Sequence, residues 1–140
     1  MGQVMNRIAC AAACFSLVSL LECSSSAPPS TGGVTVSSAS GALRLGAHTI
    51  PDPPTLGTIE VDLEVTDVAT GSARDGLTLT VTPWMPAMDH GTSVAPAVTA
   101  EGQGRYAVTG VELFMSGTWD LNIAISGPVA DHAVIEYDIP

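Results

Sequence analysis

From position 58 onward the chain repeats every two residues, and that period commits it to sheet. Ile59, Val61, Leu63 and Val65 alternate with Thr58, Glu60, Asp62 and Glu64, so a strand here has one apolar face and one charged face. The pattern returns in Leu77, Leu79 and Val81, which alternate with threonines, and in residues 105–111. Trp119, Leu121, Ile123 and Ile125 share one face further on, as do Ala133, Ile135, Tyr137 and Ile139, with His132, Glu136 and Asp138 turned outward. Residues 93–99 carry a weaker version, and no helical period follows residue 22. Fourteen glycines and ten prolines supply the turns between short strands. The expected fold is all-β: an immunoglobulin-like antiparallel β-sandwich of six to seven strands in one domain.

The start of the chain is different in kind. Arg7 is the only charge before an apolar run over residues 8–21, which is shorter than the ~20 residues a membrane span requires and fits the apolar region of an export signal. All three cysteines, Cys10, Cys14 and Cys23, fall in this part of the chain, so the fold carries no disulfide framework. Leu20, Leu21 and Cys23 resemble the cleavage box of bacterial lipoproteins, with Cys23 as the lipidated residue; Glu22 departs from the small residue expected there. The expectation is a lipoprotein-type signal peptide over residues 1–22, a flexible Ser/Pro/Gly-rich tether over residues 23–42, and a folded domain over residues 43–140. Within that domain, Pro51, Pro53 and Pro54 suggest that residues 43–56 lie against the fold as an irregular edge. The address implied is the periplasmic side of the cell envelope, on the outer membrane, reached through the lipid anchor.

Charge narrows the partners. The chain has no lysine, four arginines and fourteen carboxylates, for a formal charge of −10. Nucleic acid is excluded as a partner, because binding it needs clustered cations. An acidic protein suits cations instead.

One loop concentrates chemistry. Met85, Met88 and His90 fall within six residues that Pro83 and Pro86 stiffen. Two thioethers and an imidazole suit Cu(I), and methionine offers little to Mg²⁺, Ca²⁺ or Zn²⁺. Met88 and His90 would point the same way in an extended segment, and Trp84 would cover the cation with its ring. Met115 is a further candidate ligand if its loop lies near the first. The bland alternative is apolar packing, since a methionine pair beside tryptophan fills irregular gaps. Asp89 with His90 and Asp131 with His132 admit a rival Zn²⁺ site, whereas a blue-copper centre is excluded because the domain lacks a thiolate. Ser93, His90 and Asp89 are close in sequence, yet neighbours on one strand point apart and do not make a triad. The chain therefore reads as a non-enzyme.

These residues also carry a family resemblance. Pro83, Trp84, Met85, Pro86, Met88, His90 and Gly91, followed by Gly104 and Tyr106 and then by Met115, Gly117 and Trp119, resemble the YtkA-like domain family, which is related to FixH-like proteins. The resemblance covers about residues 57–140. It implies a small exported β-sandwich and copper handling, with a copper-handling or respiratory-assembly protein of the envelope as partner. The leading expectation is a lipid-anchored protein that binds Cu(I) through Met85, Met88 and His90 and buffers or delivers it in the periplasm. The rival is an interaction module whose Met/Trp loop contacts an efflux or respiratory-assembly partner without metal.

Overall fold

Alternation along the chain resolves into two facing sheets. In the computed structural model, which describes residues 33–140, one sheet contains β1 (Val34–Ser37), β2 (Leu43–Ile50), β3 (Gly57–Asp67), β6 (Ala97–Gly102) and β7 (Arg105–Leu113), in the order β1-β2-β3-β7-β6. The other contains β4 (Thr78–Met85), β5 (His90–Gly91), β8 (Gly117–Ser126) and β9 (Asp131–Ile139), in the order β5-β4-β8-β9. Every pairing is antiparallel. The described residues form an all-β antiparallel sandwich, as the period required.

The core lies between the sheets and is made by the apolar half of each repeat. Ile59, Val61, Leu63 and Val65 from β3 meet Leu79 and Val81 from β4, Leu121, Ile123 and Ile125 from β8, and Ile135 and Ile139 from β9, all buried. Each such side chain contributes about 1.5–3 kcal/mol on burial, and that drive fixes the register, because a slip by one residue would send every apolar group to water.

Three expectations need correction. The tether was expected to run through residue 42, but Val34–Ser37 form β1 against β2, since Val34 and Val36 are spaced to press one apolar face onto the core. Residues 43–50 are not an irregular edge: β2 is a full strand inside the sheet, with Leu43, Leu45 and Ala47 buried and the prolines confined to the turn after it. Strand β4 continues through Pro83 to Met85. Proline is tolerated there because β5 pairs only with Trp84 and Met85, which leaves the rest of that side of β4 as an open edge. The described residues hold nine strands against the six to seven expected; those that the period had not marked are short β1, β2 and the two-residue β5. The expected signal peptide and Cys23 lie outside the described residues.

Two end loops are locked by residues from the Gly-x-Tyr motif and by Asp131. The buried Tyr106 hydroxyl donates to the Arg74 carbonyl at 2.9 Å and accepts the Leu77 N–H at 3.2 Å, and the Gly104 N–H donates to Asp75 Oδ1 at 2.8 Å. These bonds hold the β3–β4 connection. At the same end the Ser40 backbone N–H donates to Asp131 Oδ1 at 3.2 Å and the Ser40 hydroxyl donates to Oδ2, which ties the β1–β2 turn to β9 of the opposite sheet. The Ser38 hydroxyl, then that of Ser40, holds the Asp131 carboxyl well below the usual carboxylate range. Because the folded-state value is depressed, this stabilisation is complete above the unfolded value of about 3.9 and is lost as pH falls below it. Thermal midpoints measured from pH 6 to pH 2 should therefore fall less steeply below about pH 4 in Asp131→Asn than in the parent chain.

Candidate metal centre

The chemistry-bearing residues gather at the end of the sandwich opposite Tyr106 and Asp131. There β4 runs through a 3-10 turn, Pro86–Met88, into β5, and β7 passes through residues 114–116 into β8. Asp89 ends the turn with φ of 53°, a left-handed conformation that reverses the chain and brings His90 back against Met85. Cross-strand partners share a face, with Cβ atoms about 4.5–5.5 Å apart. His90 and Met85 are thus neighbours on the inner side of the sheet.

An open cleft of about 300 Å³ occupies this end, lined by His90, Gly91, Thr92, Ser93, Glu112, Phe114, Met115 and Trp119. The His90 ring meets Trp119 edge to face, with centroids 6.3 Å apart and planes at 77°. Trp119 is only 1% exposed, and its indole N–H donates to the Met115 carbonyl at 2.9 Å. One core residue thereby positions both the imidazole and the backbone of the methionine loop. His90 Nδ1 lies 3.1 Å from the Gly91 carbonyl oxygen. A carbonyl can only accept, so a neutral ring making this contact carries its proton on Nδ1 and keeps the lone pair on Nε2, where a metal could bind.

The sequence candidates divide. His90 and Met115 are brought together on the cleft. Met85 is 4% exposed, in the core beside His90 rather than on the cleft wall. Its methyl occupies the space where a Cβ on Gly117 would stand, at 2.7 Å; Gly117, with φ of 125°, is bare so that Met85 can fit. Met88 is 53% exposed on the 3-10 turn and is not part of the cleft lining. Met88 and His90 were expected to point the same way, but the left-handed Asp89 between them breaks the extended path. Trp84 was expected to cover the cation. It faces the outer side of β4 instead, over Gly91, because alternation sends it opposite to Met85; Trp119 is the indole beside His90.

The zinc alternative loses its geometry. His132 pairs with Ala124, five residues along β8 from Trp119, about 17 Å from it at the strand rise. Among the described residues no three of His, Cys, Asp and Glu gather in a group that could hold a metal ion. The cleft lining offers mixed donors, and imidazole with thioether is a set suited to Cu(I).

Glu112 was missed. It reaches the cleft because β7 bulges: Ile59 pairs with Val111 and Val61 with Val108, so Thr109 and Gly110 together oppose Glu60. Gly110 has φ of 74°, the left-handed form that such a bulge uses. A glycine inside an alternating strand was the available signal.

A two-sheet antiparallel sandwich with a histidine, methionine and tryptophan cleft at one end is the class of domain defined by this fold and site. The chain belongs to the YtkA-like family, whose model matches residues 49–124. Among solved structures it resembles FetP of uropathogenic Escherichia coli in two forms. The as-isolated protein, recombinantly expressed in the periplasm of E. coli, is 11% identical with a TM-score of 0.50, covering 76% of this chain and 91% of that one. A copper-bound variant is 10% identical with a TM-score of 0.49, covering 77% of this chain and 89% of that one. At such identity the shared property is the fold. No curated protein sequence matches the chain.

Proposed function

We propose that this protein is exported, tethered to the envelope through Cys23, and binds Cu(I) at the His90 cleft to buffer copper in the periplasm or deliver it to an envelope partner. The observation that carries the reading is His90: its Nδ1 is committed to the Gly91 carbonyl, leaving Nε2 as a lone-pair donor on a cleft shared with Met115. Met88, exposed on the turn two residues earlier, is a free thioether available to complete the shell, and Met85 is the buried one beside His90. These donors, and not the fold shared with FetP, carry the copper assignment. Catalysis is not part of the reading, since a backbone carbonyl, and no carboxylate, orients the imidazole that a Ser93 triad would need.

Anaerobic Cu(I) titration of the full-length chain against a competing chelator tests this. His90→Ala and Met115→Leu should each weaken Cu(I) by about tenfold or more, which is about 1.4 kcal/mol. Met88→Leu should have a smaller effect, and Met85→Leu should leave the fold within about 1.5 kcal/mol of the parent, because volume is conserved. Wild-type affinity in both His90→Ala and Met115→Leu would sink the site.

A second reading has its own observation. Ile50, Leu56, Met88, Val94, Phe114 and Met115 are exposed apolar residues, and all lie in or beside the connections at the cleft end. Such a patch suits an interaction module that docks a partner with no metal. Under that reading Phe114→Ala, which leaves the thioethers and imidazole intact, should abolish partner binding, and no variant should respond to copper.

A further inference from the structure

The cleft carries a carboxylate that the Cu(I) reading does not use. Glu112 is half-buried on the cleft lining, and among the described residues it has neither an ion-pair partner nor a side-chain hydrogen bond. Its surroundings make that notable. Arg44 sits opposite Ser37 and Thr66, Arg74 lies in the β3–β4 connection, and Arg105 begins β7. All three described arginines are therefore at the far end of the sandwich, and two of them, Arg74 and Arg105, are engaged there with Asp67 and Glu101. Among the described residues nothing with a fixed positive charge neutralises Glu112, so the cleft favours a cation.

The bulge at Thr109 and Gly110 strengthens this. It lets Val111 and Leu113 stay in the core while Glu112 takes its place at the open edge of β7, beyond the last β6 pairing at Ala97 and Thr109. His90 and Met115 line the same cleft. The lining thus has two characters: carboxylate and imidazole are hard to borderline donors that suit Cu(II), and thioether is the soft donor that suits Cu(I). We propose that Glu112 is a ligand of this cleft and sets its oxidation-state range, so that with His90 it holds Cu(II) in the same place where His90 and Met115 hold Cu(I). This deepens the copper reading and rests on it. No electron transfer is implied, because the site only accepts copper in either form.

The test uses the full-length chain with each metal separately. Cu(II) binding is read by competition against a chelator and by electron paramagnetic resonance, and Cu(I) by anaerobic titration. Glu112→Gln keeps the shape of the side chain and should lower Cu(II) affinity about 10–100-fold, alter the Cu(II) spectrum, and leave Cu(I) affinity within about threefold. Met115→Leu should do the reverse, and His90→Ala should weaken both. Equal weakening of Cu(I) and Cu(II) by Glu112→Gln would mean that the carboxylate acts only through its charge at a distance, and would overturn the proposal. So would an unchanged Cu(II) affinity, or a wild-type chain that binds Cu(I) but not Cu(II); the copper reading survives either result. A wild-type chain that binds neither form removes both.

Discussion

Trp119→Ala is expected to destabilise the domain by about 3–5 kcal/mol, the usual cost of emptying a large aromatic site in a core. Trp119 is 1% exposed, pairs with Tyr137 on β9, and shares the inner face with Leu121, Ile123 and Ile125. Its removal also orphans the Met115 carbonyl and takes away the ring against which His90 rests. A typical domain has only about 5–15 kcal/mol in hand, so a large shift of the urea midpoint should be accompanied by weakened Cu(I) binding in whatever fraction stays folded. Trp119→Phe separates the two effects: it restores most of the apolar volume but not the N–H, so stability should recover further than copper affinity. A midpoint unchanged in Trp119→Ala would contradict the register of β8.

Gly104→Ala should be nearly as damaging, for a reason unrelated to apolar burial. The residue has φ of 73°, and a Cβ there would lie 2.5 Å from the Val65 carbonyl oxygen and 3.0 Å from the Arg74 nitrogen. Left-handed backbone costs a non-glycine residue about 1–2 kcal/mol. The clash is with backbone that cannot turn aside, and Val65 N–H donates to the Gly104 carbonyl at 2.7 Å at the same spot, so the total should reach about 4 kcal/mol. Gly102 supplies the control. It too has positive φ, 84°, but a Cβ there would meet nothing within 4 Å, so Gly102→Ala should cost only the backbone part, about 1–2 kcal/mol. Equal midpoints for the two variants would show that the β3–β4 connection is not held as tightly as its hydrogen bonds indicate.

Most of the sandwich could be read from period two because burial on one face is a local property of sequence. Strand β3 and the inward faces of β8 and β9 follow directly from it. What period could not convey was pairing. Val34 and Val36 look like stray apolar residues in a Ser/Gly-rich stretch until β2 lies beside them, and β2 looks irregular because three prolines follow it closely. The site was half legible for a related reason. Residue type and spacing indicated Met85, Met88 and His90, but which side each faces depends on Asp89 in left-handed backbone and on the two-residue β5. Glu112 and Trp119 join the cleft through a bulge and a sheet register, neither of which is visible from the loop that carries the methionines.

The shortness of β5 and the proline beside it have a consequence for how copies of the domain meet. An unpaired strand edge is a template on which another chain can add itself as a further strand. Here β4 offers that template poorly: β5 covers Trp84 and Met85, and Pro83 next to them has no N–H to offer. On the far side of the same sheet β9 is a longer edge, but it carries the carboxylates of Asp131, Glu136 and Asp138, charges of the kind that blunt an edge. In the other sheet the edge strands are β1, only four residues long, and β6, which ends at a glycine with positive φ. Each described edge is thus short, broken or charged, and each of these features works against strand-by-strand growth into fibres.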